Sequence, residues 1–370
     1  MILFVFGTRP EAIKLAPLIE ELQRRGIDVR VCVTGQHREM LAQVLQLFGI
    51  VPDVDLDIMQ ADQDLASVTA AIVGKVGELL RTMRPRVVIV QGDTTSAFAA
   101  GLAAFYAGID VAHVEAGLRS GDLSSPWPEE VNRRLLSIVT RFHFAPTASA
   151  RDHLVREGIK PTNVFVTGNT VIDALKKTTA SIATDAELHA RLDAEFSYLD
   201  RSRRLILVTG HRRESFGAPF EVMCHALADI ARDHPDVEIV YPVHLNPNVQ
   251  EPVHRILGNT EGVHLIAPID YLGFVYLMTR CEFILTDSGG VQEEASTLGK
   301  PVLVMRENTE RAEAVRSGNS RIIGTRRESI VAEATLLLRD DAHRKRMSRP
   351  SDVFGDGMAS VKIADILGAL

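Results

Sequence analysis

Short apolar runs rich in β-branched residues recur along the 370-residue chain, with helix-forming stretches between them. In the first half they are Ile2–Phe6, Val29–Thr34, Val87–Gln91, Val111–Glu115, Phe142–Ala145 and Val164–Thr167. The rhythm repeats in Leu205–Thr209, Val237–Val243, Val263–Ile269, Phe283–Thr286, Val302–Met305 and Arg321–Ile323. Such runs suit strands buried on both faces, and their alternation with helices implies parallel sheets joined by right-handed crossovers. Two sets predict an α/β protein of two Rossmann-like, doubly wound parallel-sheet domains facing a central cleft. Charged and small polar residues dominate Lys176 to Arg204, where no buried strand is apparent, and the boundary is placed there. Residues 1–175 then form the first domain and residues 176–350 the second. In the remaining stretch, 351–370, Val361, Ile363, Ile366, Leu367 and Leu370 fall at helical intervals, so this tail needs an apolar surface to cover.

The most informative stretch is Phe283 to Met305. Its apolar run ends at Thr286-Asp287-Ser288-Gly289-Gly290, where two glycines allow a tight turn and let a ligand approach main-chain N–H groups. A helix over Val291 to Leu298 should follow, stopped by Gly299-Lys300-Pro301. Unpaired amides and the helix dipole then point at one spot, which suits a phosphate. Glu293 and Glu294, one step further out, could accept ribose hydroxyls. The same residues also fit a plain turn with acids complementing the dipole. A local echo links the two halves: Phe6-Gly7-Thr8-Arg9-Pro10-Glu11 and Thr209-Gly210-His211-Arg212-Arg213-Glu214 both place Gly-x-Arg-x-Glu after a first strand. Open α/β sheets bind ligands at such strand ends.

Composition narrows the choices. A net charge of −7 gives no general field for nucleic acid, so an anionic ligand must be held by a local group of cations. Cys32, Cys224 and Cys281 are odd in number and lack metal or redox spacing, which makes buried thiols the expectation. Met1–Phe6 has no basic segment before it and is too short to anchor; it reads as a strand. A soluble, cytoplasmic protein without membrane or nucleic-acid partners is expected.

Four loops at strand ends carry the candidate chemistry. Asp93, in Gln91-Gly92-Asp93-Thr94-Thr95-Ser96, is either a helix cap or a catalytic carboxylate. Glu115, in His113-Val114-Glu115-Ala116-Gly117-Leu118-Arg119, would be costly unpaired, and Arg119 is its nearest candidate partner. Glu129 and Arg133, after Pro126-Trp127-Pro128, have the spacing of an i,i+4 pair. His211 precedes Arg212 and Arg213, while Arg9 and Lys14 would supply cations from the first half. A phosphate sink needs only cations, whereas proton transfer beside a leaving diphosphate also needs carboxylates.

These residues resemble those of the bacterial non-hydrolysing UDP-N-acetylglucosamine 2-epimerases. The matching pieces are FGTRPEAIK at Phe6, TGQHREML at Thr34, QGDTTS at Gln91, HVEAGLRSGD at His113, PWPEEVNR at Pro126, TGNTVIDAL at Thr167, TGHRRESFG at Thr209, YPVHLNPNV at Tyr241 and TDSGGVQEEA at Thr286, in order over nearly the whole chain. The resemblance implies the two-domain GT-B fold, with a C-terminal helix crossing back onto the first domain. It implies interconversion of UDP-N-acetylglucosamine and UDP-N-acetylmannosamine without nicotinamide or metal, by elimination of UDP to 2-acetamidoglucal and re-addition. Carried over position by position, Asp93, Glu115, Glu129 and His211 match the catalytic set. Arg9, Lys14, Arg133, His244, Ser288, Gly289, Gly290 and Arg311 match substrate-binding positions, Phe274 one near uracil and Glu294 one at ribose. Gln36 and His37 match a second, activating substrate site, and the family expectation is a homodimer serving cell-surface polysaccharide synthesis.

Some positions depart from the family pattern: Ala312 and Ser296 stand where proline is common, and Val353-Phe354 where Pro-Tyr is usual. None removes a catalytic side chain, but the loop bearing Arg311 is expected to be less fixed. Two rivals remain, a GT-B glycosyltransferase using a UDP-sugar donor and a catalytically silent nucleotide-sugar sensor. The joint presence of the four catalytic-type residues counts against the second.

Overall fold

A computed structural model describes residues 1–35, 38–58, 63–210, 212 and 216–369. The chain divides into two units, Met1–Ala174 with Phe354–Leu370, and Leu175–Val353. In the first, the chain runs β1 (Ile2–Phe6), α1 (Arg9–Arg24), β2 (Val29–Val33), α2 (Arg38–Leu47), β3 (Val54–Asp55), α3 (Leu65–Met83), β4 (Val87–Gln91) and α4 (Thr95–Tyr106). It continues through β5 (Asp110–Val114), α5 (Glu129–Val139), β6 (Phe142–Ala145), α6 (Ala148–Arg156) and β7 (Val164–Val166) into α7 (Thr170–Thr184), which leads into the second unit. There follow α8 (Ala186–Glu195), β8 (Arg204–Thr209), α9 (Ala218–Asp233), β9 (Val237–Pro242), α10 (Pro247–Leu257), β10 (Val263–Ile266), α11 (Tyr271–Arg280) and β11 (Phe283–Thr286). The second unit ends with α12 (Gly289–Leu298), β12 (Val302–Val304), α13 (Ala312–Arg316), β13 (Ser320–Ile322), α14 (Arg327–Arg339) and α15 (Asp341–Met347). The last helix, α16 (Ala359–Gly368), belongs to the first unit.

All strand pairs between these elements are parallel, in the orders β3-β2-β1-β4-β5-β6-β7 and β10-β9-β8-β11-β12-β13. Both are doubly wound, so the chain's direction of travel reverses between β1 and β4 and between β8 and β11. The apolar runs become these strands because every residue of β1 and β11 is buried on both faces. Several ends differ from the sequence reading. β5 stops at Val114 because Glu115 turns to φ 69°, and β10 stops at Ile266, short of Ile269. The two-residue β3 was not foreseen, since it has no apolar run of its own. α12 begins at Gly289, two residues before the position expected.

α16 buries Ile363, Ala364 and Leu367 against the first unit, where each large apolar side chain contributes about 1.5–3 kcal/mol. No side chain of its own caps it. Asp173 of α7 supplies the missing acceptor, taking the N–H groups of Ala359 at 3.2 Å and Ser360 at 2.8 Å. Among the described residues no helix is long and apolar enough to cross a membrane. Cys32, Cys224 and Cys281 are buried free thiols, pushed by burial up to about 12.

Two histidines lie side by side inside the first sheet, His113 on β5 in register with His143 on β6, both fully buried. Burial holds His113 down to about 4 and His143 to about 3, with the Arg119 guanidinium adding to the effect in each. Both are therefore neutral in the folded chain, while an unfolded histidine takes a proton near 6.5. As pH falls from 6.5 to about 4, the unfolded chain binds protons that the folded chain refuses, and stability is lost. Each histidine contributes up to about 1.4 kcal/mol per pH unit across that window. Glu11 and Asp173, raised by burial, titrate in the opposite sense, so a variant must isolate the histidine effect. Urea unfolding over this range should show His143→Phe losing part of the wild-type pH slope; an unchanged slope would contradict the assignment.

Candidate active site

In the first unit the turns after β1 and β4 are tied together by one buried acid. Glu11 completes a capping box on α1, its Oε2 accepting from the Thr8 amide at 2.8 Å and the Thr8 hydroxyl at 2.7 Å, while Oε1 accepts from Thr94 at 2.7 Å. Burial pushes this carboxyl above its usual range, against those hydrogen bonds. Thr94, not Asp93, caps α4, accepting from the Ala97 amide at 3.0 Å. Asp93 is therefore released from the capping role, and its carboxylate pairs with the buried guanidinium of Arg133. Asn132 holds the same turn by donating to the Asp93 carbonyl at 3.0 Å.

Arg133 does not pair with Glu129 as its spacing predicted. α5 is turned so that Glu130 faces inward, fully buried, and takes Arg133 Nη1 at 2.9 Å and Arg134 Nε at 3.1 Å. Glu129 stays half-buried, without an ion pair to any described residue. The expected Glu115–Arg119 pair is also absent. Glu115 pairs with Lys14 and accepts from Asn169 Nδ2 at 2.8 Å, whereas Arg119 holds Glu157 through bonds of 2.9 and 2.6 Å. The cause is the turn between them: Gly117 has φ 92°, and a Cβ there would run into the Ala150 carbonyl, so the chain is steered away before Arg119. Glu115 itself occupies the left-handed region, a strain of about 1–3 kcal/mol for a residue with a side chain. His113 donates from Nε2 to the Gly92 carbonyl at 2.7 Å, its other ring nitrogen having no partner among the described residues. Lys14, placed by the sequence as a bare cation, is thus answered by a carboxylate, and Arg9 opens α1, partly exposed.

In the second unit the Ser288-Gly289-Gly290 turn opens α12, and the Ser288 side chain does not cap it. At Gly289 a Cβ would lie 2.7 Å from Glu310 Oε1 and 3.2 Å from Arg311 Cζ, so a side chain there would press on this acid–guanidinium pair, whereas Gly290 faces open room. Of the two acids offered to a ribose, Glu293 is fully buried and engaged by Arg311 Nε at 2.6 Å, so it serves the protein interior. Glu294 accepts from the Tyr271 hydroxyl at 2.7 Å. Phe274 is half-buried on the same helix as Tyr271, and His244 is exposed in the loop after β9, accepting from the Asn246 amide at 3.1 Å.

Arg311 is firmly held despite Ala312, lying against Glu310 at 3.3 Å as well as Glu293. Glu310 also takes Arg306 at 2.9 Å and Arg212 at 3.4 Å. Burial alone would raise its carboxyl, but Arg311, Arg212 and Arg306 together hold it far below the usual range. Ser296 is buried and bonds the Gln292 carbonyl at 2.7 Å, and Phe354 is fully buried. His211, Arg213, Gln36 and His37 lie outside the described residues. Sequence reasoning missed Glu130, Asn169, Tyr271 and Glu310; only the last three-residue spacing of Glu130 to Arg133 could have signalled any of them.

A family model described as UDP-N-acetylglucosamine 2-epimerase matches residues 20–368. The UDP-N-acetylglucosamine 2-epimerase of Escherichia coli strain K12 is 54% identical over 367 residues, covering 99% of this chain and 98% of that protein. The enzyme of that name from Campylobacter jejuni is 48% identical, covering 99% and 97%. Among solved structures, the UDP-GlcNAc 2-epimerase of Neisseria meningitidis bound to UDP-GlcNAc superposes with a TM-score of 0.97 at 45% identity, covering all of both chains. That of Methanocaldococcus jannaschii in complex with UDP-GlcNAc and UDP gives 0.88 at 32%, covering 100% and 99%.

Proposed function

The chain belongs to the UDP-N-acetylglucosamine 2-epimerase family, a family of isomerases, and on that premise we propose that it interconverts UDP-N-acetylglucosamine and UDP-N-acetylmannosamine by eliminating and re-adding UDP. The observation that carries this reading is the pair of carboxylates at neighbouring strand ends, Asp93 after β4 and Glu115 after β5, each facing a cation. A carboxylate beside a cation is the kind of group that proton transfer next to a leaving diphosphate calls for.

The C2 hydrogen of the sugar has no adjacent carbonyl to stabilise a carbanion. The C1–O bond must therefore loosen first, with positive charge growing on the sugar and negative charge on UDP. Asp93 or Glu115 takes the C2 proton, the C1–O electron pair leaves with UDP, and the C–H electrons form the C1–C2 double bond of 2-acetamidoglucal. Re-addition reverses these steps with the proton delivered to the opposite face of C2, and Glu129 serves as a second proton carrier. His211 protonates or steadies the leaving diphosphate. The amides of Ser288, Gly289 and Gly290 with Arg9 and Arg311 hold the diphosphate, and His244 contributes to substrate binding. Phe274 lies by the uracil, and Glu294, oriented by Tyr271, takes the ribose. Lys14 and Arg133 fix the two carboxylates and reach sugar or phosphate from there.

The same reading places an activating second substrate molecule at Gln36 and His37 and makes the enzyme a cytoplasmic homodimer feeding cell-surface polysaccharide. Ile138 of α5 and Tyr106 of α4, 74% and 71% exposed, support a partner surface on these adjacent helices.

Incubation with UDP-N-acetylglucosamine alone in heavy water should yield UDP-N-acetylmannosamine with deuterium at C2. Neither product nor label would refute the epimerase reading, and a requirement for an acceptor would favour a glycosyltransferase. His211→Asn should lower turnover by about a hundredfold or more, the usual scale for a lost acid–base group; near-wild-type turnover would remove His211 from the mechanism.

A further inference from the structure

Asn169 sits in the turn between β7 and α7, is 2% exposed, and has both ends of its side chain committed. Its Oδ1 accepts the Val171 amide at 3.1 Å and its Nδ2 donates to Glu115 Oε2 at 2.8 Å. The amide cannot be reversed, since an N–H cannot accept from Val171 and a carbonyl oxygen cannot donate to a carboxylate. Its main-chain N–H donates at 2.6 Å to the carbonyl of Phe354, the residue at which the chain returns to the first unit.

That last bond depends on two glycines packed back to back. A Cβ on Gly168 would lie 3.0 Å from Gly355 Cα, and one on Gly355 would lie 3.0 Å from Gly168 Cα and 3.3 Å from the Asn169 nitrogen. A side chain at either position would crowd its neighbour and sit on a positive-φ backbone, φ 90° at Gly168 and 124° at Gly355, so the returning segment rests directly on the turn that aims Asn169. Among the described residues Lys14 from α1 pairs with Glu115, and His113 from β5 feels the charges of Glu115, Asp93 and Arg119.

We propose that Asn169 is a positioning residue that orients the Glu115 carboxylate and ties it to the Phe354–Gly355 segment, so that a shift of this return crossing is felt at the carboxylate. The catalytic part of this inference rests on the epimerase reading; the mechanical part does not. A carboxylate that loses an N–H donor has its charged form less stabilised and titrates higher, and one that gains a second carboxylate beside it titrates higher still.

The test is carboxyl NMR of protein carrying 13C-labelled glutamate, with the Glu115 signal assigned as the one missing from Glu115→Gln. Titration of Glu115 should move upward in Asn169→Ala and further in Asn169→Asp, whose near-identical shape carries the test if the alanine variant does not fold. Equal titration in all three proteins overturns the proposal. Gly355→Ala, which leaves Asn169 in place, should move the signal in the same direction; an unmoved signal overturns the tie to the crossing. Turnover of UDP-N-acetylglucosamine should fall by about tenfold to a hundredfold in the Asn169 variants, with KM changed less than about threefold and the acid limb of the pH profile displaced in the same order. Displaced titration with undisturbed turnover would overturn the contribution of Asn169 to turnover, and the role given to Glu115 with it. The heavy-water assay on the wild type decides the epimerase reading separately.

Discussion

A buried carboxylate is tolerable only when something answers its charge, and that constraint governs both units of this protein. Removing one partner of a buried ion pair costs about 3–5 kcal/mol, because the survivor is left in a medium that solvates it poorly. Glu115, Asp93 and Glu130 sit on Lys14 and Arg133, and Glu293 and Glu310 sit on Arg311, Arg306 and Arg212. Each cation is therefore as firmly placed as the acid it faces. The geometry of the candidate site follows from this mutual fixing more than from the loops that carry the residues. Where one more charge arrives with a ligand, it meets side chains already held in position.

The strands were legible because a strand buried on both faces must be apolar throughout, and Ile2–Phe6 or Phe283–Thr286 leave no other reading. Helix ends were legible where a single residue decides them, as Gly299 does with φ 65° at the end of α12. Partners were not. Glu115 lies 54 residues from Asn169 and 101 from Lys14, and local spacing pointed to Arg119 only because Gly117 does not announce which way it turns the chain. Glu129 and Glu130 differ by one step around a helix, about 100° of rotation, and only the packing of α5 decides which of them faces Arg133. Adjacent Glu293 and Glu294 pose the same ambiguity, resolved by burial of the first. Family resemblance named more of these positions than spacing could, but it named them singly and without their counter-ions.

The two sheets share one strand order over six strands, the first adding β7, yet their switch points are furnished differently. In the first, the acids after β4 and β5 each face a cation, and the hydrogen-bonded Glu11 binds the turns after β1 and β4 into one piece. In the second, the corresponding turn after β11 offers a glycine-started helix beside guanidiniums whose charges are shared between Glu293 and Glu310. The two halves thus differ in a handful of side chains at strand ends, acids with cations in one and a glycine-started helix beside guanidiniums in the other.

The chain passes between the units twice, and both passages are anchored in the first unit at the same place. α7 leaves through Thr170 to Ala174, and Phe354 returns beside it, bonded to Asn169, with Asp173 capping the helix that follows. Anchoring both crossings on one turn concentrates whatever load the second unit applies onto Gly168–Asp173. That turn also holds Glu115, whose left-handed backbone already stores strain. A strained residue persists only where its surroundings over-determine it, and here one of the surrounding restraints is the return crossing itself. The sparing use of bulk at Gly168 and Gly355 then has a mechanical reading: side chains at either position would separate the restraint from the carboxylate it helps to fix.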